Sequence, residues 1–135
     1  MKSIAVALIC AISLTLAASH ARAAGDAANG EKFYEECKGC HDMRENKAGP
    51  RHCWLVGRKA AKVPGYSYSE VMKDSDLVWD EKTLDKFLAS PITFLNGTNM
   101  GYVGLSEAKE RADLIAYLLK ATSDPKTCDG IDKLH

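Results

Sequence analysis

The chain has 135 residues, and its 18 basic and 18 acidic side chains leave it formally neutral at pH 7 with four histidines uncounted. This length suits one small domain rather than several. The balanced charge argues against nucleic acid or a strongly anionic membrane surface as a partner.

The first 23 residues read as an export signal rather than as fold. Lys2 gives a positive start, Ile4 to Ala18 form an apolar run, and Ala21-Arg22-Ala23 supplies the small-x-small pattern that signal peptidase cleaves. The run is shorter than the ~20 residues a spanning helix needs. Cleavage after Ala23 leaves residues 24–135 as a single domain in the periplasm. Loss of Lys2 and Arg22 lowers the basic count from 18 to 16 against 18 acids, a net of −2. No later stretch is long and apolar enough to span a bilayer, so the mature protein is expected to be soluble and monomeric.

Asp26 can cap a first helix carrying Phe33, Tyr34 and Cys37 on neighbouring faces. That helix runs into Cys37-Lys38-Gly39-Cys40-His41, whose C-x-x-C-H spacing reads as covalent haem attachment. Two thiols a helical turn apart can add to the two vinyl groups of one macrocycle, and the next residue offers an axial imidazole. A redox disulfide would want a βαβ pattern around the pair, and a zinc site would want a second ligand pair. The sequence has neither.

Residues 45–65 are rich in Gly, Pro and Lys and lack periodicity, which predicts irregular structure. A short helix is expected over Tyr68–Met72. A better one is capped by Asp80 and spans Glu81–Ala89, with Leu84, Phe87 and Leu88 on one face and Pro91 closing it. Pro91 to Leu105 reads as a loop punctuated by Gly97, Gly101 and Gly104. The longest helix is expected from Ser106 to about Thr122, its amphipathic face formed by Arg111, Leu114, Ile115, Leu118 and Leu119, with Asp124-Pro125 ending it. No segment alternates like a strand. The fold class is all-α.

Cys10 leaves with the signal, Cys37 and Cys40 go to haem, and Cys53 and Cys128 remain. Two leftover cysteines in an oxidising compartment most simply pair, the alternative being two unrelated buried thiols. A bridge would close a loop of about 75 residues, worth up to about 4.5 kcal/mol in the chain-entropy model. For the second axial position the candidates are Met43, Met72, Met100, His20, His52 and His135. Met43 follows His41 too closely, His20 falls in the signal, and His135 ends a tail. Met100 sits in a glycine-punctuated loop that can lie over the haem, but methionine is as often core filler, and spacing alone leaves both roles open.

In chain order the sequence carries Gly30-Glu31-Lys32, the haem motif, Gly49-Pro50, Gly57-Arg58-Lys59, Pro64-Gly65-Tyr66-Ser67-Tyr68, Trp79, Gly97-Thr98-Asn99-Met100 and Glu110-Arg111-Ala112-Asp113-Leu114-Ile115-Ala116-Tyr117-Leu118. With these pieces the mature chain resembles a class I c-type cytochrome of the cytochrome c2 and mitochondrial type. The resemblance implies helices wrapped around one covalent haem c, and Met100 as sixth ligand with a soft sulfur that raises the potential. It implies that the Pro50 carbonyl accepts from the free N–H of His41. It also implies that Arg58, Tyr68 and Trp79 lie near the haem propionates, and that Gly30 and the Leu114–Tyr117 face join the first and last helices.

The departures are specific. His52 stands in a slot usually held by leucine and is expected to be polar or partly exposed, not a ligand. Trp54 stands where glycine is usual and demands local repacking. Asn96 replaces a usual proline before the Met100 loop. Glu36, Ile92, Asn99 and Glu107 fall where basic residues are common, so the ring of lysines that steers many family members to acidic partners is thinned.

The resemblance implies a one-electron carrier, not an enzyme, working between a donor cytochrome or dehydrogenase and a terminal oxidase. The thinned edge and the extra cysteine pair resemble the methylotroph cytochrome c-H type, which serves methanol oxidation. A photosynthetic c2-type carrier is the alternative. The rival of another class, a haem enzyme or gas sensor with an open sixth site, would want a distal acid or base. The Met100 loop offers only Asn96, Thr98, Asn99 and Tyr102.

Overall fold

The computed structural model describes residues 24–134; the signal-like segment, His20 and His135 lie outside them. Helix α1 spans Ala27–Cys37, and the Asp26 carboxylate caps it by accepting from Ala28 N and Asn29 N. Helix α5, Ala108–Ala121, is the longest and lies across α1. The crossing is close because Gly30 has no side chain: a Cβ there would sit 1.9 Å from the Asp113 carbonyl oxygen and 2.8 Å from Tyr117 Cβ. Gly25 meets α5 in the same way, at the Ala112 carbonyl oxygen. Asp113, only 3 % exposed, accepts from Asp26 N at 2.6 Å and from Lys109 Nζ at 2.5 Å, which pins the start of α1 to α5.

Helix α3 spans Glu81–Ala89 under an Asp80 cap, and buries Leu84, Phe87 and Leu88 against α5. Arg111 joins the pair from α5, donating to Asp85 at 2.9 Å and to the carbonyls of Leu105 and Ser106. The core between these helices gathers Tyr34, Leu114, Leu118, Trp79, Met72 and Leu105 with the α3 residues.

Three boundaries differ from the sequence reading. The short helix α2 covers Glu70–Lys73 rather than Tyr68–Met72, because Ser69 is extended and its carbonyl accepts from both Met72 N and Lys73 N. Pro91 does not simply close α3. Ser90 takes an extended conformation, and Pro91 then opens helix α4, Pro91–Phe94, at a position whose N–H would have had no helical partner. Likewise Asp124-Pro125 ends α5 and at once begins helix α6, Pro125–Cys128, with Asp124 accepting from Lys126 N. The 45–65 segment is irregular, as expected, apart from an isolated antiparallel bridge between Lys59 and Val78.

Cys53 and Cys128 are joined in a disulfide, both only 1 % exposed. Around it the C-terminal tail is tied to the 44–54 segment by further bonds. Trp54 Nε1 donates to the Ile131 carbonyl at 2.7 Å, Trp54 N donates to the Thr122 carbonyl at 2.6 Å, and the Arg44 guanidinium donates to the carbonyls of Thr127 and Asp129. Lys133 Nζ lies 4.2 Å from the Trp54 ring centroid. The repacking demanded by Trp54 is therefore local: the residue keeps a left-handed backbone, φ +58°, and its indole serves as the tail's seat.

Candidate haem-binding site

Helix α1 delivers the C-x-x-C-H motif to the interior. Beyond its last residue, Cys40 N and His41 N both donate to the Cys37 carbonyl, at 3.1 and 2.8 Å, so the motif makes one further turn. Cys37 is half-buried, Cys40 exposed and His41 9 % exposed. All three line a largely apolar cavity of about 480 Å³, a size typical of small-molecule and cofactor sites. Both thiols are free; burial, reinforced by Glu36 and Cys40, pushes the Cys37 thiol up to about 11, so it is protonated at neutral pH.

The His41 imidazole is closely held. Its Nδ1 lies 2.8 Å from the Pro50 carbonyl, which can only accept, so Nδ1 carries the proton and the Nε2 lone pair is left for a metal. Gly49 presses against the ring; a Cβ there would stand 2.2 Å from Cε1. Burial lowers the His41 pKa below its usual value, against the opposing Pro50 hydrogen bond, which favours the neutral ligand form. The His52 ring stacks on His41 with centroids 4.2 Å apart and planes 24° from parallel. Burial, then the neighbouring His41 and Arg58, holds His52 well below the usual histidine range, so it too is neutral. Its Nδ1 lies 3.0 Å from the Tyr34 hydroxyl. Burial raises the Tyr34 phenol above its ordinary value, so the hydroxyl keeps its proton and the two groups share one hydrogen bond.

Arg58, Tyr68 and Trp79 line the same cavity. A short ladder brings two of them side by side: Gly57 N donates to the Trp79 carbonyl at 2.8 Å, and Trp79 N to the Arg58 carbonyl at 3.0 Å. The Arg58 guanidinium, 2 % exposed, donates to the carbonyls of Cys53 and Arg51, and no carboxylate among the described residues pairs with it. Burial lowers its pKa to about 10, with Tyr68 opposing. Ser69, on the cavity wall, has a buried hydroxyl without a partner. A buried cation and an orphaned hydroxyl are a fitting reception for carboxylates brought in by a cofactor.

Met100 reaches the cavity from the glycine-rich loop after α4. Gly97 turns that loop at φ +92°, and Met100 N donates to Thr98 Oγ1 at 3.3 Å. Tyr102 donates to Glu36 Oε2 at 3.0 Å and so ties the loop to α1 at the edge of the cavity. The sequence candidates Cys37, Cys40, His41, Met100, Arg58, Tyr68 and Trp79 thus converge on one cavity. Of the other axial candidates, His52 and the buried Met72 also line this cavity, and Met43 packs at the margin of the core.

The family model for cytochrome c matches residues 27–122. This chain belongs to the cytochrome c family. The cytochrome is 45 % identical over 121 residues to cytochrome c2 of Rhodomicrobium vannielii, covering 87 % of this chain and 95 % of that one. It is 38 % identical over 130 residues to cytochrome c-554 of Methylosinus trichosporium, covering 93 % and 98 % of the two chains. Among solved structures it matches cytochrome cH from Methylobacterium extorquens with a TM-score of 0.68 and 43 % identity, over 70 % of this chain and 98 % of that one. Members of the family are electron carriers with one covalently attached haem c. The cavity fits that group: an apolar enclosure, two free thiols one turn apart, an imidazole whose tautomer exposes Nε2, and a buried cation awaiting a carboxylate.

The two histidines on this wall were not equally visible in the sequence. His41 is fixed by its motif. His52 is half-buried, as expected, but its stack on His41 was missed; the only signal was a ring-bearing polar residue two positions after Pro50.

Proposed function

We propose that this cytochrome is a periplasmic one-electron carrier between a donor cytochrome or dehydrogenase and a terminal oxidase, with residues 1–23 as its export signal. Cys37 and Cys40 hold the haem as thioethers, and His41 and Met100 are the axial ligands. When bound, the haem supplies a reversible ferric–ferrous couple. Pro50 fixes the His41 tautomer, and the Met100 sulfur favours the reduced state. Arg58, Tyr68, Ser69 and Trp79 receive the propionates. With His41 and Met100 both given to the haem iron, no coordination site would be left for a substrate, as a carrier rather than an enzyme requires.

The observation that carries this reading is the convergence of Cys37, Cys40, His41 and Met100 on one apolar cavity. The test is the far-red spectrum of the ferric protein with and without cyanide. A weak sulfur-to-iron band that fades slowly as cyanide enters is the expected result. A high-spin spectrum with immediate cyanide binding would overturn Met100 ligation and the carrier reading with it. Likeness to cytochrome cH over 98 % of that chain supports methanol oxidation as the pathway, and likeness to a cytochrome c2 supports a photosynthetic carrier as the second reading.

A further inference from the structure

The roles assigned so far leave His52 idle, although it is in direct contact with the proposed axial ligand. We propose that His52 is a positioning residue that sets the plane of the His41 imidazole and thereby tunes the iron; this rests on the reading of His41 as an axial ligand. Rotation about the bond joining an imidazole to its Cβ is soft. The Pro50 hydrogen bond fixes one atom of the His41 ring and still lets the ring rock about it. A flat ring at 4.2 Å, 24° from parallel, removes that freedom.

The stacking ring is itself anchored from several directions. The Tyr34 hydroxyl holds its Nδ1 at 3.0 Å, and His52 N donates to the Asp42 carbonyl at 2.9 Å. The Arg58 guanidinium bonds the carbonyls of Arg51 and Cys53, one residue to either side of it. Tyr34 is 1 % exposed and packs on Tyr117 of α5, with ring centroids 5.0 Å apart. A continuous set of rings therefore runs from the α1–α5 contact through Tyr34 and His52 to His41. His52 works through its neutral face and its shape, not through charge. A leucine would occupy the volume but could neither lie flat on His41 nor be held by Tyr34.

The orientation of an axial imidazole sets the in-plane splitting of the ferric d orbitals, and the strength of its Nδ1 hydrogen bond sets how strongly Nε2 donates. The test uses the haem-loaded protein with H52L, H52F and Y34F, read by low-temperature EPR of the ferric form and by the midpoint potential. H52L is expected to change the spread of g values and raise the midpoint, because a loosened ring weakens the Pro50 bond and stabilises ferric iron less. H52F keeps a stacked ring and is expected to stay nearer to wild type. Y34F frees the His52 ring and should shift both readouts in the H52L direction, by less. Wild-type g values and midpoint in both H52L and Y34F, with only a lower melting temperature, would overturn the proposal and make His52 a packing residue. If H52L fails to load haem, Y34F decides, and wild-type values there overturn it. A wild-type protein with no low-spin signal would instead remove the axial reading, and this inference with it.

Discussion

Gly49 shows how much of the site is set by a single absent side chain. Its amide donates to the Cys40 carbonyl at 2.7 Å, and the missing Cβ leaves room for the His41 ring. In G49A a methyl would meet Cε1 at 2.2 Å, so either the ring or the Pro50 segment must move. Overpacking of this kind costs about 1–3 kcal/mol. We expect G49A to lose about that much stability in denaturant titration of the haem-loaded protein and to shift its midpoint potential; wild-type behaviour in both would contradict the geometry. At this scale the sequence was legible where chemistry demands a motif. Cys37, Cys40 and His41 follow from spacing, whereas Met100, Arg58, Tyr68 and Trp79 needed family resemblance, because a methionine or an aromatic residue looks the same in a core as at a cofactor. The partial exposure of His52 was legible but its contact with His41 was not, since a stack between residues 11 apart leaves no periodic trace.

Among the elements, the α1–α5 crossing and the tail clamp make separable claims. The Asp113 carboxyl is held below its usual range by the Asp26 backbone N–H and then by Lys109. A depressed folded pKa adds stability above the unfolded value, near 3.9, and loses it as pH falls through the folded value. D113N should therefore be less stable than wild type at neutral pH, with the gap closing below about pH 4. A gap unchanged down to pH 2 in chemical denaturation would refute this. Trp54 sets two effects against each other. Its left-handed backbone costs about 1–2 kcal/mol, while its hydrogen bond to Ile131 contributes about 1 kcal/mol and the Lys133 contact about 0.5–1 kcal/mol. W54G should change global stability by less than about 1 kcal/mol yet speed hydrogen exchange at the Ile131 amide, which donates to the Cys128 carbonyl. Unchanged exchange would mean that the disulfide alone holds the tail. The longer helices with apolar periodicity, α1, α3 and α5, the first two capped by Asp26 and Asp80, were read close to their observed limits. The four-residue helices α4 and α6 were missed because each begins at a proline that also reads as the end of its predecessor.

For the whole molecule, the decisive quantity is the near balance of charge, 18 basic against 18 acidic residues in the full sequence. The cavity rim carries Glu36, tied by Tyr102, and Asn99. Long-range steering needs a field of one sign and is screened within about 8 Å at physiological ionic strength. Electron-transfer rates with an acidic redox partner should therefore fall only shallowly with added salt, in contrast to a lysine-ringed cytochrome; a steep fall in stopped-flow measurements would refute this. The all-α wrapping around one cofactor was legible as a whole, since several spaced motifs fix one topology, but the tail's course over Trp54 was not, because it depends on backbone carbonyls that carry no sequence signature. The placement of the sulfur atoms bears on how such a chain matures. Four cysteines in residues 24–135 can pair completely in three ways, and all three consume the motif thiols, so thioether formation needs the Cys53–Cys128 bridge alone, with Cys37 and Cys40 left open. Folding sorts them by shelter: the Cys53–Cys128 bridge is sealed at 1 % exposure, while Cys40 faces solvent. A reductant that keeps the motif open thus has no access to the buried bridge, and the two sulfur chemistries can proceed side by side without undoing each other.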